Sequence, residues 1–418
     1  MSRPNLLLPA LLCALATGCP DAVPGTPHGG GGGAGGTASA GAGGAGGAIG
    51  PIDFRSAVSS DLPSPGEDFN DQYGFSVAAS ADTVVVGAYR DYASLIIGGA
   101  AHVFVWNGES YALETSLRAS PAVGDSMFGW SVAIDGDRAV VGARGLSDPK
   151  EVAGGAYFLT RNGSSWVSQQ LLQEDPPQTY GNFGRAVAVS GTRAIVSAPD
   201  MTARVFAFES SGSTWAPAGE LVASDPAEAF GWAVALDGDT ALVGSDAITP
   251  TPASAYIFVH DGNNWTEGDT LRPGAGGEGF GYAVSLSGDA AIVGTKPGNG
   301  PGGAFVFERA NETWMQTAAL SSGETVDGDD FGAAVAIHGD FALVGAPNHD
   351  DVAGADSGAA YIFVRTEGTW ALHTKLVDPD PHAGDHFGLS VALEDGVAVV
   401  GGVQTAAGRG RVTVFRAR

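Results

Sequence analysis

Short apolar runs recur along the chain at a fixed rhythm, and each run is bounded by Gly, Asp and Asn. A Phe-Gly or Tyr-Gly pair opens each cycle: Tyr73-Gly74, Phe128-Gly129, Phe183-Gly184, Phe230-Gly231, Phe280-Gly281, Phe331-Gly332 and Phe387-Gly388. The sixth cycle shows the pattern. Residues 331–337 form one apolar run, His338-Gly339-Asp340 a tight turn, and 341–346 a second run. A loop over 347–358 leads to a third run at 359–364, and a turn at Glu367-Gly368 leads to a more polar segment, Trp370 to Leu376. Four short segments with these turn residues predict four β-strands. The first three are apolar or small on both faces, as strands are when their sheet is covered on both sides. The polar fourth suits an outer edge. Repeats of this length predict a propeller or solenoid.

The strand count bears on ring closure. Trp166, Trp215, Trp265, Trp314 and Trp370 each stand six residues before a leucine, and Tyr111 stands six before Leu117. That makes six fourth strands for seven Phe-Gly cycles, and the chain ends after the third strand of the seventh. Leu62 lies eleven residues before Tyr73, the spacing by which Leu117 precedes Phe128. Residues 54–62 are therefore expected to supply the missing strand. The expected fold is all-β: a seven-bladed β-propeller of four-stranded blades over 51–418, closed by an N-terminal strand. Closure removes the open edges that invite aggregation.

The motifs Phe-Gly-x-Ser-Val-Ala, Val-Val-Gly-Ala, Tyr-x-Phe and Trp-(x)5-Leu resemble the FG-GAP repeat, the unit of the integrin α-chain propeller and of many bacterial surface proteins. The second motif stands as Val-Gly-Ala at 86–88 and 141–143 and as Val-Gly-Ala-Pro at 344–347. It stands as Ser-Ala-Pro at 197–199 and drifts to Val-Gly-Ser at 243–245, Val-Gly-Thr at 293–295 and Val-Gly-Gly at 400–402. The resemblance spans residues 52 to 418. It implies a binding or adhesion-type module, with calcium as a cofactor held in Asp-rich hairpins between the first two strands. Here those hairpins shrink to turns such as Asp135-Gly136-Asp137 and Asp237-Gly238-Asp239. Two carboxylates around one glycine make a turn rather than a many-oxygen cage.

The first 50 residues read differently. Leu6 to Ala16 is an apolar run after Arg3, long enough for a secretory signal and too short to span a bilayer. It leads to Leu15-Ala16-Thr17-Gly18-Cys19, which resembles the lipobox of bacterial lipoproteins. The resemblance implies a signal peptide over 1–18, lipidation of Cys19, and export to the cell envelope, at the outer membrane or cell surface. The alternative is an ordinary secretory signal cut nearby. Cys13 lies within this leader, so cleavage leaves Cys19 as the one cysteine of the mature chain, and no disulfide staples the fold. Thirteen of the 22 residues from Gly29 to Gly50 are glycine, so 19–50 reads as a flexible tether.

Composition narrows the partners. The 418 residues carry 46 acids against 20 Lys plus Arg, a net charge of −26. Nucleic acid is thereby excluded as a partner, because phosphate binding needs clustered cations. The connections from second to third strand and from fourth to the next first strand fall on one face. They carry 24 acids and seven Lys or Arg, seventeen of the net negative charges. Acidic loops of this kind keep a surface wet; they can also hold a cation or a basic ligand. The candidate metal ligands are Asp350, Asp351, Asp356, Asp378, Asp380 and Asp385, beside His382 and His386.

No Gly-x-Ser-x-Gly elbow, His-Glu-x-x-His or P-loop occurs. Gly212-Ser-Thr-Trp215 matches the tail of a sialidase-type Asp box, but Ser210 stands where its aspartate belongs. No catalytic residue is nominated. The expected function is a monomeric, surface-anchored module that binds an extracellular protein or polysaccharide and meets the membrane through its lipid alone. The alternatives are a propeller hydrolase or lyase and a purely structural envelope protein.

Overall fold

Each Phe-Gly pair opens a blade because of its backbone geometry. The residue before the aromatic is left-handed at all seven pairs, including Met127 (φ 54°), Asn182 (φ 52°) and Asp330 (φ 59°), and the following glycine is left-handed too, as at Gly129 (φ 89°). The chain doubles back there. The residue after the glycine donates its N–H to the residue before the aromatic, as from Trp130 to Met127 O (3.0 Å) and from Arg185 to Asn182 O (3.0 Å). Only glycine fits. A methyl group on Gly129 would strike the Ala100 carbonyl of the preceding blade, and one on Gly142 would strike the Gly184 carbonyl of the next. The two glycines of the repeat are thus the points where blade backbones touch.

The computed structural model describes residues 52–417 apart from 67–69, 94–95, 121–122, 149, 201–202, 226–228, 247–252, 275–276, 296–297, 299, 301 and 404–409. The described strands form seven four-stranded antiparallel sheets and one small two-stranded ribbon, Tyr92–Ala93 with Ile96–Ile97, with no α-helix among the described residues. Blade 1 comprises Tyr73–Ser80, Thr83–Ala88, Ala100–Trp106 and Tyr111–Leu117. Blade 2 comprises Phe128–Asp135, Arg138–Ala143, Ala156–Asn162 and Ser165–Leu172. Blades 3 to 6 repeat the pattern, with first strands Val187–Ser190, Phe230–Asp237, Phe280–Ser287 and Ala334–His338. Blade 7 joins Ser390–Glu394, Val397–Gly402 and Arg411–Arg416 to Val58–Leu62 from the other end of the chain. Neighbouring first strands pack on one another around the ring, so they line its axis.

Two details depart from the sequence pattern. In blade 6 the ladder starts at Ala334 rather than Phe331. Blades 3 and 7 likewise start late, at Val187 and Ser390, and Phe183, Phe331 and Phe387 keep bridges to Gly154, Gly302 and Gly358 of the preceding blades. At the N-terminal end, residues 54–62 are not one strand. Val58–Leu62 pairs with the last strand, Leu62 opposite Val412 and Val58 opposite Arg416. Phe54–Ser56 is a 3-10 turn started by Asp53, whose carboxylate accepts the Arg55 N–H at 2.9 Å. The turn explains why Phe54 stands eight residues from Leu62 and not six. Its ring leaves the strand register and packs edge-on against Phe341 of blade 6 at 5.6 Å.

The core lies between the blades. Phe128 meets Tyr157 at 5.2 Å and Phe331 meets Tyr361 at 5.7 Å, so in these blades the opening aromatic packs on a tyrosine of its own third strand. At the hairpin end, a side chain closing each first strand catches the hairpin of the next blade. Ser80 accepts from Gly136 N–H (3.0 Å), Asp135 from Gly191 (2.5 Å), Ser190 from Gly238 (3.0 Å), Asp237 from Gly288 (2.6 Å) and Ser287 from Gly339 (3.3 Å). His338 continues the ring to blade 7, with Nδ1 3.5 Å from Glu394 and Nε2 2.9 Å from Asp395. The short Asp-Gly-Asp hairpins therefore serve as joints between blades.

Candidate functional site

The six candidate aspartates occupy two adjoining loops. Asp350, Asp351 and Asp356 lie between the second and third strands of blade 6; Asp378, Asp380 and Asp385 lie between blades 6 and 7. The loops are laced together by backbone hydrogen bonds from Gly384 to Ala355 O (3.0 Å) and from His386 to Asp356 O (3.0 Å). The carboxylates turn to separate partners. Asp350 accepts the Asp356 N–H at 2.9 Å, and Asp351 lies 3.9 Å from Lys375 Nζ. Asp378, buried, and Asp380, exposed, both pair with Arg411, at 2.9 and 3.2 Å. Asp385 accepts the His382 N–H at 2.6 Å, and burial raises its pKa. His386 is buried, its Nδ1 2.9 Å from Asn348 Oδ1, and burial lowers its pKa. Among the described residues, no three Asp, Glu, His or Cys side chains converge as metal ligands.

Much of the loop acidity builds turns. Asp71 accepts the Tyr73 N–H at 3.0 Å and the Ser64 hydroxyl at 2.8 Å. Asp91 binds Arg118 at 2.7 Å and lies 3.3 Å from His102. Asp330 accepts from Gly298 N–H (3.0 Å) and Asn348 Nδ2 (2.6 Å), and burial with Asp329 and Asp356 nearby pushes its pKa up to about 6.

The same face holds a different cluster at its centre. The residue after each Phe-Gly pair is carried toward the axis: Phe75, Trp130, Arg185, Trp232, Tyr282, Ala333 and Leu389 in blade order. Neighbours touch around the axis. Phe75 lies 4.6 Å from Trp130, Arg185 lies over Trp232 at 3.5 Å and within 5.9 Å of Trp130, and Trp232 lies 5.8 Å from Tyr282. Leu389 closes the set by packing with Phe75 and Trp130. The residues leaving the second strands add a second tier. Tyr89 lies 4.7 Å from Phe75 and 4.8 Å from Trp130, and Arg144 lies over Trp130 at 3.7 Å. Tyr89, Arg144 and Trp232 remain partly exposed at the mouth, whereas Phe75, Trp130, Arg185 and Tyr282 are buried.

Two arginines in adjacent blades are thus held on indole faces at the axis. Burial, then the nearby Arg185 charge, lowers the Arg144 pKa to about 10; burial also lowers that of Arg185. Both remain cations at neutral pH. Planar guanidiniums stacked on aromatics keep their in-plane N–H groups for another acceptor. Chemically, the mouth offers aromatic surface for an apolar ring and donors for an acceptor. Sequence reasoning passed over this cluster because it followed acids and loops. The signal was present in the single column after each Phe-Gly, which reads Phe, Trp, Arg, Trp, Tyr, Ala, Leu.

Comparison with known proteins agrees with this architecture. No curated protein matches the chain in sequence. Among solved structures, Kuenenia stuttgartiensis hydrazine synthase superposes with a TM-score of 0.54 at 11% identity, covering 84% of this chain and 97% of that one. A protein from Lactobacillus plantarum gives a TM-score of 0.50 at 13% identity, covering 77% and 89%. Likeness at such identities speaks for the fold alone. The FG-GAP repeat model matches residues 63–104, 111–159, 215–258, 314–363 and 370–415, more than half of the chain. With seven blades each opened by a Phe-Gly or Tyr-Gly turn, the chain belongs to the FG-GAP repeat family.

Proposed function

We propose that this chain is an exported binding module, tethered to the cell envelope through lipidated Cys19, that engages an extracellular protein or polysaccharide at the axial mouth of its propeller. The observation that carries the reading is the mouth itself: Tyr89, Arg144 and Trp232 stand partly exposed over a buried layer of Phe75, Trp130, Arg185 and Tyr282. Concave sites that join aromatic surface to a few convergent polar groups are the usual form of a ligand site. Seven rigid blades fix this arrangement, so binding needs little ordering of the protein.

The test is retention of the purified chain on arrays of envelope and matrix polysaccharides and proteins. The wild-type chain is expected to bind one class, and the double variant Tyr89→Ala, Trp232→Ala to lose that signal by tenfold or more while still folding. Undiminished binding by the double variant would place the site elsewhere.

The anchor rests on Leu15-Ala16-Thr17-Gly18-Cys19, which lies outside the described residues. No described helix is long and apolar enough to cross a membrane. Cys19→Ala is expected to move the protein from the membrane fraction to the soluble fraction. Membrane retention of that variant, with no acyl group on the native N-terminus, would refute the anchor.

A further inference from the structure

We propose that the axial mouth recognises a carboxylate on a sugar ring, a uronate residue of an otherwise sparsely charged polysaccharide, held between Arg144 and Arg185; this rests on the binding reading above. The argument starts from pairing. Several arginines elsewhere in the ring meet acids: Arg118 with Asp91 at 2.7 Å, Arg161 with Glu114 at 2.5 Å, Arg365 with Glu308 at 2.8 Å and Arg411 with Asp378 at 2.9 Å. Arg144 and Arg185 make no side-chain hydrogen bond or ion pair with a described residue, and the Nε of each is buried without an acceptor. Arg185 is only 4% exposed. A buried cation that touches no counter-charge is costly, and two that repel each other cost more. In a chain of net charge −26 that shortage is local and set by position: Asp200, exposed and engaged by the Asn182 amide, and the buried Asp246 act on Arg185 through space, and neither forms an ion pair with it.

An oxyanion at the mouth would relieve both charges. The two indoles occupy guanidinium faces and leave the edges, whose parallel N–H groups match the two oxygens of a carboxylate. The body carrying that carboxylate meets Tyr89 and Trp232, both partly exposed. The apolar C–H face of a pyranose ring can lie on such rings, as flat apolar groups do. The acidic loops around the mouth set the spacing of charge. Asp200, Asp350 and Asp380 are exposed on this face and repel a densely charged polyanion or an acidic peptide. One carboxylate held on two guanidiniums meets less of that repulsion than a run of them.

The experiment is calorimetric titration with an oligosaccharide ending in glucuronate and with its glucose-ended counterpart. The wild-type chain should bind the acidic form at least tenfold more tightly. Arg144→Gln, at a partly exposed position, should reduce that preference to within about twofold. Arg185→Met should do the same where it folds, and Asp350→Asn on the rim should preserve the preference. Equal binding of both sugars, or full preference retained in Arg144→Gln, would overturn the carboxylate assignment while leaving the binding module intact. Binding of a glutamate-ended peptide with neither sugar bound would overturn the sugar. No binding of sugar or peptide, together with a blank array, would sink both readings.

Discussion

Removing residues 51–63 will lower the melting temperature far more than removing 24–48. The first deletion strips the outer strand from blade 7. Val58–Leu62 pairs along its full length with Arg411–Arg416, and Leu62 is 1% exposed. The Tyr73 hydroxyl donates to the Leu62 carbonyl at 3.0 Å, tying blade 1 to the same strand. Phe54, 2% exposed, leaves a hole against Phe341. Burying each of these side chains contributes roughly 1.5–3 kcal/mol, so the deletion should cost about 3–6 kcal/mol before the exposed strand edge is considered. If the ring melts as one unit, an unfolding entropy of about 2.1 cal/mol/K per residue turns that loss into a drop of roughly 4–8 °C. Loss of the seam should also make the variant aggregate, because the edge of Arg411–Arg416 would be left unpaired. Equal melting temperatures for the two deletions would show that the ring does not depend on its N-terminal strand. The measurement is a thermal scan of both deletions beside the full chain.

Stability should fall as pH rises from about 4.5 to above 7, and Glu394→Gln should remove much of that fall. Glu394 ends the first strand of blade 7, where the hairpin end of the axis gathers several acids. Burial, then the charges of Asp395, Asp135 and Asp237, push its pKa up to about 7. Only a backbone hydrogen bond from Ala81 opposes this shift, and His338 lies 3.5 Å away. A carboxyl whose folded pKa lies above its unfolded value of about 4.5 binds its proton more tightly in the folded state. Its contribution is complete below pH 4.5 and is lost as pH rises through 7. A shift of this size corresponds to about 3 kcal/mol between the two limits. Glutamine keeps the shape without the charge, so the variant should be more stable than the wild-type chain at pH 8 and similar at pH 4.5. Denaturant titrations at the two pH values measure this. A variant no more stable than wild type at pH 8 would show that His338 already offsets the buried charge.

How the blades meet was legible because the contact is made by backbone. Two backbones can approach at Gly129 or Gly142 only where no Cβ intervenes, and the reversing turn demands left-handed residues. Such demands leave glycine at fixed places, and seven copies in phase are hard to misread. The strand count followed from the Trp and Leu spacing for the same reason, since each blade must present an edge residue and a buried leucine at the same height. The break at Phe54–Ser56 was hidden because a 3-10 turn of three residues has no period to betray it; only the spacing of eight hinted at it.

The acidic loops show the opposite case. Their charge could be counted from the sequence, but its use could not, because a carboxylate serves equally well as a turn acceptor, an ion-pair partner or a metal ligand. Which role it takes depends on groups far away in the chain. Asp378 meets Arg411, and Asp330 meets Asn348 and Gly298, through the fold alone. The axial cluster is the clearest instance. Phe75 and Leu389 stand more than three hundred residues apart, and Arg144 and Arg185 belong to different repeats; ring closure packs them about one axis. The sequence by itself determined the repeat, the blade count and the backbone contacts, because these are set by local steric rules written into each cycle. The tertiary structure decided which side chains share the centre and which charges go unanswered there, because those depend on the sum of seven cycles.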